Sequence, residues 1–434
     1  MDSSSNEAHY VWTPPSFDVS RTPSNIYTTS LHHNTSYSSD LHDFARTAKW
    51  CPDGSVAIAQ TESGCLQYLD LPSEYLGSQH HVQIPNWSQN RSKQPAPLLD
   101  FAWYPQATSR DPASFCLVTS VRECPVKLLD ANDGRLRASY RIVDHRERQI
   151  APHCLAFNPM ASKLYCGFED AIEVFGVHAP GEGERLKTTP SKKSRDGLKG
   201  IISSLAFSND ISSGLFAAGS LNPSPPTSSN IALFTENTGE VPVMFVGDET
   251  QQPTGFGIRA SVMQVMFNPM KPHMLYASFR RSSSIYCWDL RGNACIPSQI
   301  FTRPDSDSEK TNQKLRFDID LGGNWLAVGD MTGNISMFDL SSSSNAPEVM
   351  NSEAPRIDSR LTFFAHNDAI GSTAFHPLKP LLLSVSGSRN FPEPSNDERE
   401  GNFSDEEDEE ENDIVEFNQT LELRGCLIHR TRTE

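Results

Sequence analysis

Leu155-Ala156-Phe157-Asn158-Pro159 and Val265-Met266-Phe267-Asn268-Pro269 are two copies of one phrase, a short apolar strand that ends on an aromatic residue and breaks at a proline turn. Further copies read Ala48-Lys49-Trp50-Cys51-Pro52, Phe101-Ala102-Trp103-Tyr104-Pro105 and Thr373-Ala374-Phe375-His376-Pro377. Leu205-Ala206-Phe207-Ser208 and Leu315-Arg316-Phe317-Asp318 keep the strand and lose the proline. A phrase that returns at a period of roughly 50 residues, followed each time by more short strands, marks a propeller or a solenoid. A propeller blade has four antiparallel strands, a to d, running from channel to rim. The chain is therefore expected to be all-β, a seven-bladed β-propeller.

The first six copies supply strands a to c from consecutive residues, for example Thr47–Cys51, Ser55–Gln60 and Cys65–Leu71 in the first blade. Blade six opens with Lys314–Asp320. The seventh blade has Ala369–Phe375 and Pro380–Ser386, then only Thr420–Arg424 as a third strand before the chain ends. Its rim would be an exposed edge. The β-branched and aromatic run Asn25-Ile26-Tyr27-Thr28-Thr29-Ser30-Leu31 is expected to fill that place and close the ring. The expected organisation is a disordered segment 1–24, a propeller over 25–426 with a disordered acidic insertion at about 395–413, and a tail over 427–434.

Composition narrows the function class. The 434 residues carry a formal net charge of −17, which argues against nucleic-acid binding over the whole surface. Part of that charge is local, since Asp405–Asp413 contains eight acidic residues. The nine cysteines form no CxxC pair and several sit in strand-like runs, as buried thiols of a reducing compartment do. No apolar run approaches a membrane span, and the first residues lack the pattern of a signal peptide. There is no Walker loop, no Gly-x-Ser-x-Gly elbow and no His-Glu-x-x-His, so neither an enzyme nor a cofactor is expected. His32-His33 and His80-His81 lie in polar loops without further ligand spacing, so no metal site is expected either.

Degenerate WD signatures refine the fold. Trp288-Asp289 is an intact WD pair, Phe338-Asp339 is close to one, and Phe364-Ala365-His366-Asn367-Asp368 stands where a Gly-His entry precedes a strand a. Trp288, Asp289, His366 and Asp368 are expected to be structural, with His366 and Asp368 locking the blade through buried hydrogen bonds. Several stretches then narrow the match: Val121-Arg122-Glu123-Cys124-Pro125-Val126, Asp133-Gly134-Arg135-Leu136-Arg137-Ala138-Ser139-Tyr140-Arg141, Lys163-Leu164-Tyr165-Cys166-Gly167-Phe168 and Gly200-Ile201-Ile202-Ser203. Cys287-Trp288-Asp289-Leu290-Arg291 and Ser386-Gly387-Ser388-Arg389-Asn390-Phe391-Pro392-Glu393-Pro394 follow in order. With these the chain resembles the telomerase Cajal body protein family of WD-repeat proteins from about Phe44 to about Cys426. The resemblance implies a nuclear, monomeric, non-enzymatic scaffold. Its partners would be small nuclear or Cajal-body-type RNAs, telomerase RNA among them, and ribonucleoprotein proteins. Fungal relatives point instead to a protein–protein scaffold tied to pre-mRNA splicing, and a cytoplasmic pool stays open.

Topology sorts the charges by face. Loops b–c and d–a emerge on one face of a propeller, loops a–b and c–d on the other. Arg122, Arg280-Arg281 and Arg389 fall in b–c loops; Arg91, Lys93, Arg146, Arg148, Lys192-Lys193, Arg195 and Lys199 fall in d–a loops. A net-acidic chain is thus expected to gather cations around one channel mouth, as a backbone-tracking RNA site requires. Arg291, in a c–d turn, faces the other way as a structural or partner contact. The run Asp405–Glu411 would be tethered on the cationic face as an electrostatic gate, with Ser404 as an acid-directed phosphorylation site.

Overall fold

The computed structural model describes residues 13–29, 43–69, 91–191, 194, 196–221, 230–247, 261–304, 311–341, 354–389 and 426–430. Among the described residues there is no helix, and the strands form seven small sheets, one per expected blade. Blade one is Ala45–Trp50, Ala57–Thr61, Cys65–Leu69 and Arg91–Lys93; blade two is Leu98–Trp103, Cys116–Val121, Val126–Asp130 and Leu136–Tyr140. Blades three and four start at Cys154–Phe157 and Ile202–Phe207. Blade five, which starts at Val262–Phe267, gains a fifth strand, Arg356–Asp358, parallel to its rim strand Gln299–Thr302. Blade six keeps only Asp318–Ile319 as its strand a, shorter than the expected Lys314–Asp320.

Blade seven closes the ring as expected. Ile370–Phe375 and Leu381–Ser386 are followed by Cys426–Arg430, and Ser24–Thr29 pairs antiparallel with Cys426–Arg430 as the outermost strand. Two expectations need correction. The third strand is Cys426–Arg430, within the supposed tail, while Thr420–Arg424 lies outside the described residues. His429 in this strand is buried, and its imidazole meets the Ser384 hydroxyl at 3.1 Å. The segment before residue 24 is also partly built: Phe17 and Val19 are buried in the apolar cluster between blades six and seven. Phe17 packs edge-on against Phe375, with ring centroids 4.8 Å apart.

The core is distributed as one apolar cluster between each pair of neighbouring blades. Ile58, Tyr68, Phe101 and Phe115 join blades one and two. Trp50, Ala57, Leu383, Val385 and Ile428 join blade one to blade seven across the closure. Strands buried on both faces explain the weak alternation of the sequence.

A polar relay reinforces these seams around the channel. The residue three positions before the aromatic that closes strand a reaches the strand a of the next blade. Asp100 accepts from Leu155 N–H at 3.0 Å, Ser204 from Val265 N–H at 3.0 Å and Ser372 from Ala48 N–H at 3.0 Å. The Gln264 amide takes both backbone groups of Phe317, at 3.1 and 2.8 Å. Such buried bonds hold each blade in register with its neighbour.

The WD residues have unequal roles. His366 is buried and meets the Ser384 hydroxyl at 2.8 Å, so His366, Ser384 and His429 form one chain through blade seven. His429 occupies strand c, where the WD pattern has tryptophan. Asp368 accepts from Ala369 N–H at 2.7 Å and caps the entry to strand a. Trp288 is buried against Tyr286 and Phe279, and Asp289 ion-pairs with Arg291 at 2.7 Å.

Two outcomes test this architecture. Removal of residues 1–31 should lower the Tm sharply and, by baring the blade-seven edge, give concentration-dependent oligomers by light scattering. Phe17→Ala alone should cost about 3 kcal/mol in denaturant unfolding.

Buried ionisable groups set a pH dependence. Burial drives both His376 and His429 from 6.5 down to about 4, while burial raises Asp318 from 3.8 to about 7. Between these limits the unfolded chain binds two protons that the folded histidines refuse, and folded Asp318 keeps one that the unfolded chain releases. The unfolded state therefore binds one more, and these groups together make stability fall on acidification by about 1.4 kcal/mol per pH unit. In a His429→Leu variant that remains folded, the two opposing groups cancel. Melts at pH 7 and pH 5 should then differ less than in the parent chain.

Candidate functional site

A cavity of about 460 Å³ opens at the channel mouth on the face of the b–c and d–a loops. Its lining draws on all seven blades. Arg46, Arg280, Lys314 and Arg389 supply positive charge, and Ser203, Asn312 and Gln313 supply polar donors and acceptors. A second cavity, of about 330 Å³, opens at the opposite mouth and is lined by Trp50, Pro52, Met266, Pro269, Phe375 and Pro377 among others.

Between the two, side chains cross the channel. Asp100 of blade two is 4 % exposed and meets Lys49 of blade one at 3.2 Å and Arg316 at 3.4 Å. Lys49 also donates to the Phe101 carbonyl. Lys314 reaches from the entry to blade six to the Ser203 carbonyl of blade four, at 3.1 Å. The chain places these two cations in the channel because the segment before the short strand a of blade six runs beside blade seven. Arg316 N–H donates to Gly371 O at 2.9 Å and Arg316 bridges Ser372 in parallel.

Electrostatics follow from this crowding. Burial works to raise the Asp100 carboxyl, but Lys49, Arg316 and Lys314 hold it below the ordinary carboxylate value. Burial, then repulsion from Arg316, pushes the Lys314 ammonium down to about 7. Higher in the mouth, Glu62 is shared by Arg46 at 3.3 Å and Arg389, whose Nε donates at 2.8 Å. The Arg280 Nε is buried with no hydrogen-bond partner among the described residues. Burial, then Lys314 and Arg122, lowers His153. The cations at this mouth outnumber Glu62 and Asp100.

The expected site residues divide. Arg280 and Arg389 line the cavity, and Arg122 stands exposed on the turn of blade two. Arg281 is exposed, with its Nε 2.9 Å from Asn312 Oδ1. Arg146 and Arg148 are exposed on the hairpin after blade two, outside the cavity lining, and Arg148 is tied to Asp144 at 2.8 Å. Lys199 is half-buried before blade four. Lys192, Lys193, Arg195, Ser404, the insertion at 395–413 and the two histidine pairs lie outside the described residues. Arg91 and Lys93 belong to the rim strand of blade one rather than a d–a loop, with Arg91 paired to Asp43 at 2.6 Å. Sequence reading missed Arg46, Lys49, Lys314 and Arg316. Their signal was a cation inside or just before a strand a, the strand nearest the channel.

Among the described residues no group of histidine, cysteine and carboxylate side chains could hold a metal ion, and no helix could cross a membrane. Cys51, Cys65, Cys116, Cys154, Cys166 and Cys287 are free and buried, and Cys124 and Cys295 are free and partly exposed.

The chain is 30% identical over 366 residues to "Telomerase Cajal body protein 1" of Rattus norvegicus, covering 84% of this chain. The chain is a relative of the telomerase Cajal body proteins. It spans 63% of the length of that relative. It is also 28% identical to "Guanine nucleotide-binding protein negative regulator 1" of Schizosaccharomyces pombe, over 66% of this chain and 68% of that protein. Among solved structures, Chaetomium thermophilum Raptor is similar with a TM-score of 0.58 at 13% identity, covering 91% of this chain and 28% of that one, a likeness of fold alone. No family model matches the chain.

The channel pairs give a stability contrast. Asp100→Asn leaves Lys49, Lys314 and Arg316 without their shared counter-charge and should cost roughly 3–5 kcal/mol in denaturant unfolding. Arg280→Ala should change stability by less than about 1 kcal/mol, since it breaks no ion pair.

Proposed function

We propose that this chain is a non-enzymatic nuclear scaffold that binds small nuclear or Cajal-body-type RNA and its ribonucleoprotein proteins through the cationic channel mouth. One observation carries the reading. In a chain of net charge −17, Arg46, Arg280, Lys314 and Arg389 converge on one cavity, with Arg122 and Arg281 exposed on turns of the same face. Local positive potential on an acidic protein favours a polyanion at that place and disfavours it elsewhere. Arginines on turns can also stack on unpaired bases, the common mode of sequence-tolerant RNA recognition. The names of the relatives point to Cajal bodies and telomerase, and this chain takes from them a role in localising or assembling such particles.

The test is binding of transcribed small nuclear RNAs to the whole chain over a salt series. Arg122, Arg280 and Arg389 changed together to Ala should weaken binding and reduce the salt slope by roughly 0.7 for each phosphate that is no longer neutralised. Circular dichroism and the Tm should stay close to the parent's. If the parent chain binds no RNA and co-purifies only with proteins, the protein–protein scaffold replaces this reading.

A further inference from the structure

The channel mouth is more than a charged rim, because it has a floor. Asp100, Lys49, Arg316 and Lys314 span the channel between blades one, two, four and six. Lys314 lines the cavity of about 460 Å³ on one side of this layer, and Lys49 and Arg316 line the cavity at the opposite mouth. A polyanion lying across the face meets the rim first. A group that enters end-on can reach below it.

The charges at the bottom are unevenly matched. Lys49 and Arg316 are in contact with Asp100, and Arg46 and Arg389 with Glu62. Two lining cations are left without a carboxylate within ion-pair distance among the described residues. Lys314 has one carbonyl, Ser203 O, at 3.1 Å. Arg280 is half-buried in the cavity lining, and its Nε, inside the wall, has no partner among the described residues. Burying cations without counter-charge is costly, and folded proteins offset that cost with a bound anion or a pKa shift. The lining donors, an ammonium and a planar guanidinium with Asn312 and Gln313 nearby, match the oxygens of a phosphoryl group.

We propose that this recess is a pocket for a terminal phosphate, held by Lys314 and Arg280. It deepens the RNA reading of the same face and rests on it for one of two sources of that group. The phosphate is either the phosphorylated end of an RNA or that of a small free polyphosphate. A monoester dianion brings more charge on a narrower tip than a phosphodiester flanked by two sugars, and so suits two unmatched cations better. Bound there, it would also relieve the repulsion between Lys314 and Arg316.

The experiment uses the full chain. Thermal shift and calorimetry with inorganic phosphate, pyrophosphate and tripolyphosphate at matched ionic strength read the free-phosphate arm. Competition between 5′-phosphorylated and 5′-hydroxyl oligoribonucleotides of one sequence, and between their 3′ counterparts, reads the RNA arm. The expected result is a rise in Tm with at least one free phosphate, or tighter binding of a phosphorylated RNA end. Arg280→Ala and, separately, Lys314→Gln should each weaken that response about tenfold. Arg291→Ala, on the opposite face, should leave it unchanged.

Arg280→Ala keeps the test valid if Lys314→Gln disturbs the channel. No response to any free phosphate together with equal binding of phosphorylated and hydroxyl ends overturns the pocket. A response that survives Arg280→Ala overturns it too. RNA binding without preference for a phosphorylated end and without competition by free phosphates leaves the RNA reading standing and removes the pocket. Phosphate binding without RNA binding does the reverse.

Discussion

The structure depends on the pairing of Ser24–Thr29 with Cys426–Arg430. A propeller is a closed array in which every blade borrows its packing from two neighbours, so one open seam exposes apolar surface on both sides of it. Closure here is a composite of chain ends. The C-terminal strand contributes Ile428 and His429 to blade seven, the N-terminal strand covers its edge, and Phe17 and Val19 wedge the neighbouring seam. Non-local contacts of this kind carry a high loop-closure entropy cost, which hydrogen bonds and apolar burial at the two ends together offset.

Closure also fixes what the innermost strands face. With seven blades, the strands a surround a channel that their own side chains partly fill. Small polar residues at the relay position, Ser204 and Ser372, join adjacent blades and stop there. Where the relay residue is Asp100, the same atom group that holds Leu155 also attracts Lys49 and Arg316, so a structural bond becomes an electrostatic bridge across the channel. The irregular entry to blade six is the counterpart of that bridge. By running along blade seven it delivers Lys314 and Arg316 into the channel and gives the mouth its floor. Fold irregularity and charge placement are one feature.

The architecture was legible because its signal repeats. The strand that ends on Trp103, Phe157, Phe267 or Phe375 and the turn that follows recur often enough to count blades. The β-branched run near Ile26 had no other place than the open rim. Single residues were harder to read. Cys426–Arg430 hid behind a histidine and an arginine, because neutral buried histidine looks the same in sequence as a solvated one. Arg91 looked like a loop cation because nothing near it in sequence announces its partner Asp43. Loop arginines on one face could be sorted by topology. Lys314 and Arg316 carried only the signal of a cation inside the expected strand a of blade six, and their reach across the channel follows from a short strand and a parallel bridge.

The central claim is that RNA meets this propeller at the mouth framed by the b–c and d–a loops. Ultraviolet crosslinking of bound small nuclear RNA to the full chain, followed by peptide mapping, addresses that claim directly. The expected crosslinked peptides contain Arg122, Arg280-Arg281 and the 311–317 segment. Crosslinks confined to the opposite face, around Pro52, Pro269 and Pro377, would contradict it.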